Sequence, residues 1–240
     1  MPKTTVVTGA SQGIGEGIAS RLVEDGWRVF NLDRSKPTNE ANPSTWIETD
    51  LTDPASIASS FEIIRTEGPI IGLVNNAGIG IMTELEETTI EEFDLTVDVN
   101  MKAPMLCAQA ALADMKEAGF GRIVNISSRA MLGKTHRTAY AGTKGAIASM
   151  TRVWALELAQ YGITVNGIAP GPIATELFTR ANPPNMPRTQ EIIGTVPIGR
   201  LGTPADIAHG VSCFMDDRAS FINGQVLFIC GGISLARGGS

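Results

Sequence analysis

Cysteine is scarce in this chain. Cys107, Cys213 and Cys230 are odd in number and lie far apart in 240 residues. They form neither a disulfide framework nor a metal-ligand pattern, and they suit a reducing compartment. Histidine is scarcer still. His136 and His209 have no ligand spacing, so no metal site is expected. An excess of positive charge is also missing. The net charge of −6 argues against nucleic acid or an anionic membrane as the main partner. No apolar run reaches the ~18 residues of a membrane-crossing helix. The Met-Pro-Lys start leads straight into an apolar strand, without the pattern of a signal peptide. A cytoplasmic location is the expectation. Nothing reads as a linker or an internal repeat, and residues 1–240 are expected to form one domain.

What the chain has is enough apolar material for a large core. Hydrophobic residues make up 43% and charged residues 18%, which places it among ordered globular proteins. Apolar runs of strand length alternate with longer amphipathic stretches, the signature of repeated β-α units and a parallel sheet. Strands are expected at Thr4–Thr8, Arg28–Asp33, Thr45–Asp50, Ile70–Val74, Arg122–Ile126, Ile163–Ile168 and Gln225–Ile229. Helices are expected at Ile14–Gly26, from Pro54 to about Thr66, across Ile90–Ala118, over about Thr138–Gln160, and at Pro204–Met215. Asp53-Pro54 reads as N-cap and first helical residue, and Thr203 as a second N-cap. The one irregular region is Glu176–Pro197, with four prolines. A stretch this long inside a compact domain reads as a functional lid.

The first strand runs into Thr8-Gly9-Ala10-Ser11-Gln12-Gly13-Ile14-Gly15, and a helix follows. Glycines permit the tight turn and let backbone amides approach a phosphate, and the new helix N-terminus favours the negative charge. Asp33 ends the second strand. A carboxylate there accepts hydrogen bonds from ribose hydroxyls and repels a 2′-phosphate, which favours NAD over NADP. Arg34 comes next, and it could instead hold a 2′-phosphate.

Tyr140 and Lys144 lie four residues apart in Tyr-Ala-Gly-Thr-Lys, within an expected helix. That spacing stacks phenol and ammonium on one helical face. A free tyrosine titrates near 10, too high for proton transfer at neutral pH, and a fixed neighbouring cation favours its phenolate. Moving it by about three units takes on the order of 4 kcal/mol.

Together these segments resemble the short-chain dehydrogenase/reductase family, in its short single-domain branch, over Thr4 to about Leu235. The glycine spacing is that family's version. Asn75-Asn76-Ala77-Gly78, Arg-Ile-Val-Asn-Ile-Ser-Ser (122–128), Tyr140-x-x-x-Lys144 and Pro170-Gly171-Pro172-Ile173-Ala174-Thr175 match its other motifs. The resemblance implies a doubly wound Rossmann-type α/β fold of about seven mostly parallel strands with helices on both faces. It implies an NAD(H)-dependent oxidoreductase interconverting a secondary alcohol and a ketone. Tyr140 would exchange the proton, Lys144 would hold the nicotinamide ribose, Ser128 would bind the substrate oxygen, and Asn100 would position a relay water. Gly9, Ser11, Gln12, Gly13, Ile14, Gly15, Asp33, Asp50, Leu51, Asn76, Ala77, Gly78, Tyr140, Lys144, Pro170, Gly171, Ile173 and Thr175 would line the cofactor. The family also suggests a homotetramer, with Ala146–Leu158 and the last strand as interface elements.

One spacing departs from the family, which separates serine and tyrosine by thirteen residues. Ser128 to Tyr140 is twelve and Ser127 to Tyr140 is thirteen. Strand side chains alternate, so only one serine can point into the site. Register with the strand favours Ser128 and a one-residue deletion in the loop. That loop, 131–137, carries basic residues that would border the substrate and could meet a polar or anionic one. Two alternatives stay open: an NADPH-dependent 3-oxoacyl-carrier-protein reductase, whose tail segments 197–202 and 223–226 resemble this chain's, and a dinucleotide-binding regulator without turnover.

Overall fold

A computed structural model describes residues 3–183 and 185–235. Seven strands form one sheet: β1 Lys3–Thr8, β2 Trp27–Asp33, β3 Thr45–Glu48, β4 Ile70–Asn75, β5 Gly121–Ile126, β6 Ile163–Pro170 and β7 Val226–Ile229. Their order is β3-β2-β1-β4-β5-β6-β7, and each neighbouring pair is parallel. The order reverses between β1 and β4, which opens a crevice at the carboxyl ends of those strands.

Successive residues of one strand feed two cores, as the two-residue period requires. Val6 of β1, Phe30, Leu73, Ile123 and Val165 pack on one face with Phe61, Met115 and Ala155. Val7, Val29, Val74, Val124 and Ile168 pack on the other with Ile18, Leu22, Ile207 and Phe214. The first face is covered by α2 (Pro54–Arg65), α4 (Ala103–Ala118) and α5 (Thr138–Leu158), and the second by α1 (Gly13–Glu24) and α8 (Pro204–Met215). β5 and β6 are buried throughout, and Arg122, Asn125, Thr164 and Asn166 are buried in them beside the apolar residues.

Local chemistry fixes the ends. Asp53 accepts from Ala55 N and Pro54 opens α2. Thr203 and Asp206 form a capping box at α8, which satisfies two otherwise unpaired amides. β3 is shorter than expected and ends at Glu48, after which Thr49 N still donates to Asp33 O. The long helix expected over Ile90–Ala118 is interrupted: α3 (Ile90–Val97) passes through a π-helical turn, Asp98–Lys102, before α4 begins. Glu176–Pro197 is not irregular throughout, since it holds α6 (Glu176–Ala181) and α7 (Pro187–Gly194); residue 184 of that stretch lies outside the described residues. Among the described residues, no helix is long and apolar enough to cross a membrane.

Candidate active site

The glycine loop is held from behind. Gly9 and Gly13 take φ of 67° and 61°, values in the left-handed region that favours glycine. A methyl on Gly15 would meet Gly9 O at 2.1 Å, so the helix can start against the loop only with glycine there. Asn76 Nδ2 donates to Thr8 O and Gly9 O at 2.9 and 3.0 Å, while the amides of Asn76 and Ala77 both donate to Thr8 Oγ1 at 3.0 Å. Asn31 Oδ1 accepts from Ala10 N at 2.8 Å. Asn76 is therefore a clamp on the loop. Thr8 and Asn31, which the sequence reading passed over, complete that clamp; their only signal was a polar residue inside a buried strand.

Asp33 is half-buried. Its carboxylate accepts from Ser11 N at 3.2 Å and Ser35 N at 3.1 Å, which ties β2 to the loop. Arg34 is exposed. Asp50 holds its own turn through Thr52, and those hydrogen bonds, more than Arg34, keep its carboxyl below the usual range. Leu51 is buried beside it. Gln12 gives α1 no side-chain cap, and a cleft of about 340 Å³ lined by Gln12, Gly13, Thr38, Ala174, Thr175 and Glu176 lies there. An uncapped helix start next to open space fits a pyrophosphate.

The second half of the site stands on β5, α5 and the π turn. Ser127 is buried and its Oγ donates to Lys144 O. Ser128 is half-buried, and its Oγ accepts from Ala130 N at 3.1 Å, which leaves its own hydroxyl proton for another partner. The two serines are thus divided between a structural bond and a free donor. Lys144 is 5% exposed, and its Nζ donates to Ile126 O at 2.7 Å. Burial pulls its pKa down to about 8. An ammonium has three donors; among the described residues only this one bond is made, so two remain for the hydroxyls of a ribose.

A methyl on Gly78 would meet Lys144 Nζ at 3.1 Å and Asn100 Oδ1 at 3.2 Å, so lysine, asparagine and the end of β4 converge on one point. Asn100 is buried in the π turn. Its Oδ1 accepts from Ile79 N at 2.9 Å, and its Nδ2 donates to Ile79 O at 2.9 Å and Thr143 Oγ1 at 3.1 Å. The extra residue per turn lets Asn100 leave the helical row and reach both neighbours. The Tyr140 ring lies within 3.3 Å of where a Gly80 side chain would begin, and Lys144 Nζ is 5.9 Å from its centre.

The Pro-Gly segment closes the other side. Pro170 ends β6, and Gly171 packs so closely on Cys230 that a methyl there would meet Cys230 Cα at 2.7 Å. Ile173 is buried and bridges Gly202. Thr175 caps α6 at Phe178 N, and its methyl would touch a side chain on Gly13 at 3.4 Å. Glycine loop and Pro-Gly segment are therefore neighbours across the crevice.

A family model described as enoyl-(acyl carrier protein) reductase matches residues 9–234. The dehydrogenase subunit BbsD for (2S)-[(R)-hydroxy(phenyl)methyl]succinyl-CoA of Thauera aromatica is 35% identical, covering 98% of both chains. The 3-oxoacyl-[acyl-carrier-protein] reductase FabG of Staphylococcus aureus is 34% identical over 97% of this chain and 98% of its own. A gluconate 5-dehydrogenase from Burkholderia cenocepacia, solved with NADP and tartrate, superposes with a TM-score of 0.90 at 29% identity, covering 98% of this chain and 96% of that one. The chain belongs to the short-chain dehydrogenase/reductase family, whose members are NAD(P)-binding oxidoreductases.

Proposed function

We propose that this protein is an NAD(H)-dependent oxidoreductase that interconverts a secondary alcohol and a ketone. The observation that carries the reading is the buried Lys144 ammonium, with two unused donors, beside Tyr140 and at the end of β4. A cation is costly to bury, and a ribose diol together with a nearby phenolate would repay that cost. The dinucleotide, when bound, supplies or accepts the hydride.

The chain's own residues do the rest. Tyr140 gives its hydroxyl proton to the substrate oxygen in reduction and takes it back in oxidation. Lys144 favours the phenolate electrostatically. Ser128 donates to the same substrate oxygen, stabilising charge as it develops there. Asn100 fixes the turn behind Lys144, from where a water can link the amine to solvent. The uncapped start of α1 takes the pyrophosphate. Asp33 accepts from the adenosine ribose, which selects NAD. The segment 176–197 acts as the lid, and the chain is one domain. Exposed Leu156 and Val153 on α5, Met105 on α4, and Phe221 and Leu227 near the last strand fit packing against further copies in a homotetramer. Free cysteines suit a cytoplasmic location.

A second reading, reduction of 3-oxoacyl thioesters with NADPH, is favoured by the FabG relative. One assay separates the two. Absorbance at 340 nm is followed with secondary alcohols, hydroxy acids, ketones and 3-oxoacyl thioesters against both cofactors, with Asp33→Ser alongside. Turnover with NAD(H), shifted toward NADP(H) by Asp33→Ser, supports the first reading. Turnover of thioesters with NADPH alone replaces it.

A further inference from the structure

The substrate side of Tyr140 carries a group of cations without carboxylate partners. Arg129 directly follows Ser128, at the start of the short turn Arg129–Leu132. Lys134 and Arg137 lie in the loop that enters α5, and Arg188 stands on α7. Arg137 is anchored: its guanidinium donates to Gly80 O at 3.1 Å and lies 5.6 Å from the centre of the Tyr140 ring. A backbone bridge between Thr83 and Arg137 fixes the same corner. Desolvation, then Arg137, Arg129 and Arg188, hold the Lys134 amine below the ordinary lysine range. Three guanidinium groups are thus within electrostatic reach of one amine.

The chain carries six more acidic than basic charges, and six arginines pair with them: Arg21 with Asp25, Arg28 with Glu67, Arg65 with Asp114, Arg180 with Glu176, Arg200 with Asp206 and Arg218 with Asp216. Arg34, Arg122 and Arg152 form no ion pair among the described residues. Among the described residues, none of Arg129, Lys134, Arg137 and Arg188 makes an ion pair. Glu84 borders the same corner, 3.5 Å from His136 Nδ1, and among the described residues it forms no ion pair with any of the four cations. Like charges brought together cost free energy, and an anion placed among them would repay it. Perturbed, unpaired charge beside reactive groups points to a functional site.

We propose that Arg129, Lys134, Arg137 and Arg188 receive the carboxylate of the substrate, so that the alcohols and ketones handled at Tyr140 are hydroxy acids and their keto acids. The inference rests on the dehydrogenase reading above. Arg137 lies against the Tyr140 ring itself, so the negative group sits only a few bonds from the reacting carbon. This favours a compact acid over a thioester whose phosphates lie at the far end of a long arm. The guanidinium groups offer paired donors to both carboxylate oxygens, and Lys134 adds a point charge.

The test compares hydroxy acids with their own methyl esters. kcat/KM is measured for each pair with wild type, Lys134→Gln and Arg188→Gln, at low and high salt. We expect the acid-to-ester ratio to exceed ten in wild type, to fall about tenfold in each variant through KM, and to shrink with salt. Equal rates for acid and ester, or variants that lower both alike, would overturn the proposal while leaving the dehydrogenase reading standing. If neither acid nor ester turns over, thermal shift with sodium tartrate against sodium chloride of equal ionic strength decides. A shift lost in Lys134→Gln keeps the anion site although the dehydrogenase reading falls, and no shift overturns both.

Discussion

Two lysines ten residues apart show how differently this protein uses charge. Lys144 stands on α5, sealed from water, with its amine on Ile126 O; burial alone pulls it down to about 8. Lys134 stands in the loop before α5, exposed, and is depressed by desolvation and, after that, by the cations around it. The first is a single charge held rigidly by helix and sheet, which suits it to tune one neighbouring group. The second belongs to a cluster on the loop before α5 and on α7, which suits it to meet a ligand. A helix-and-sheet half for shared chemistry and a loop half for specificity is the division expected of binding loops on a fixed scaffold.

The comparison breaks most sharply at Lys144. Lys144→Met is expected to lower kcat/KM by about 10²–10⁴-fold, in rate assays with saturating dinucleotide. It should also change the pH dependence of stability. The folded value of about 8 lies below the ordinary 10.5, so the unfolded chain binds more protons between these limits. Wild type therefore bears the full penalty below pH 8 and recovers it as pH rises toward 10.5. Denaturation of the apo protein should show wild type gaining on Lys144→Met across that window, by on the order of 3 kcal/mol. A flat difference would mean that the amine is not desolvated.

Gly15→Ala tests the rigid half from the cofactor side. The added methyl meets Gly9 O at 2.1 Å, so loop and helix must part. About 1–3 kcal/mol of stability is expected to be lost, together with dinucleotide affinity measured by fluorescence titration. The smallest effect belongs to α6. Arg180 pairs with Glu176 on the surface of α6, and Arg180→Ala should change stability by no more than about 0.5 kcal/mol in chemical denaturation.

What was legible in the sequence follows the same division. The strands, the glycine loop, and Tyr140 and Lys144 on one helix could be read because each depends on local spacing. The π turn at Asn100 could not, since Asp-Val-Asn-Met-Lys has ordinary helical composition and its extra residue is imposed by the bonds to Ile79 and Thr143. The division of labour between Ser127 and Ser128 was half legible: alternation predicted that they differ, but the bond from Ser127 to Lys144 O needed the fold. Asn76 read as lining the cofactor, and the part its side chain plays in gripping Thr8 and Gly9, nearly seventy positions away in the chain, needed the fold. The cation cluster was least legible, because Arg188 comes within electrostatic reach of Lys134 only through the placing of α7.

The most direct test of the account is hydride transfer at 340 nm in wild type and Tyr140→Phe, with dinucleotide binding measured on the same samples. The account predicts turnover in wild type, its loss in the variant, and unchanged dinucleotide affinity. Turnover that survives in Tyr140→Phe would contradict it, because the proton would then be moved by another group.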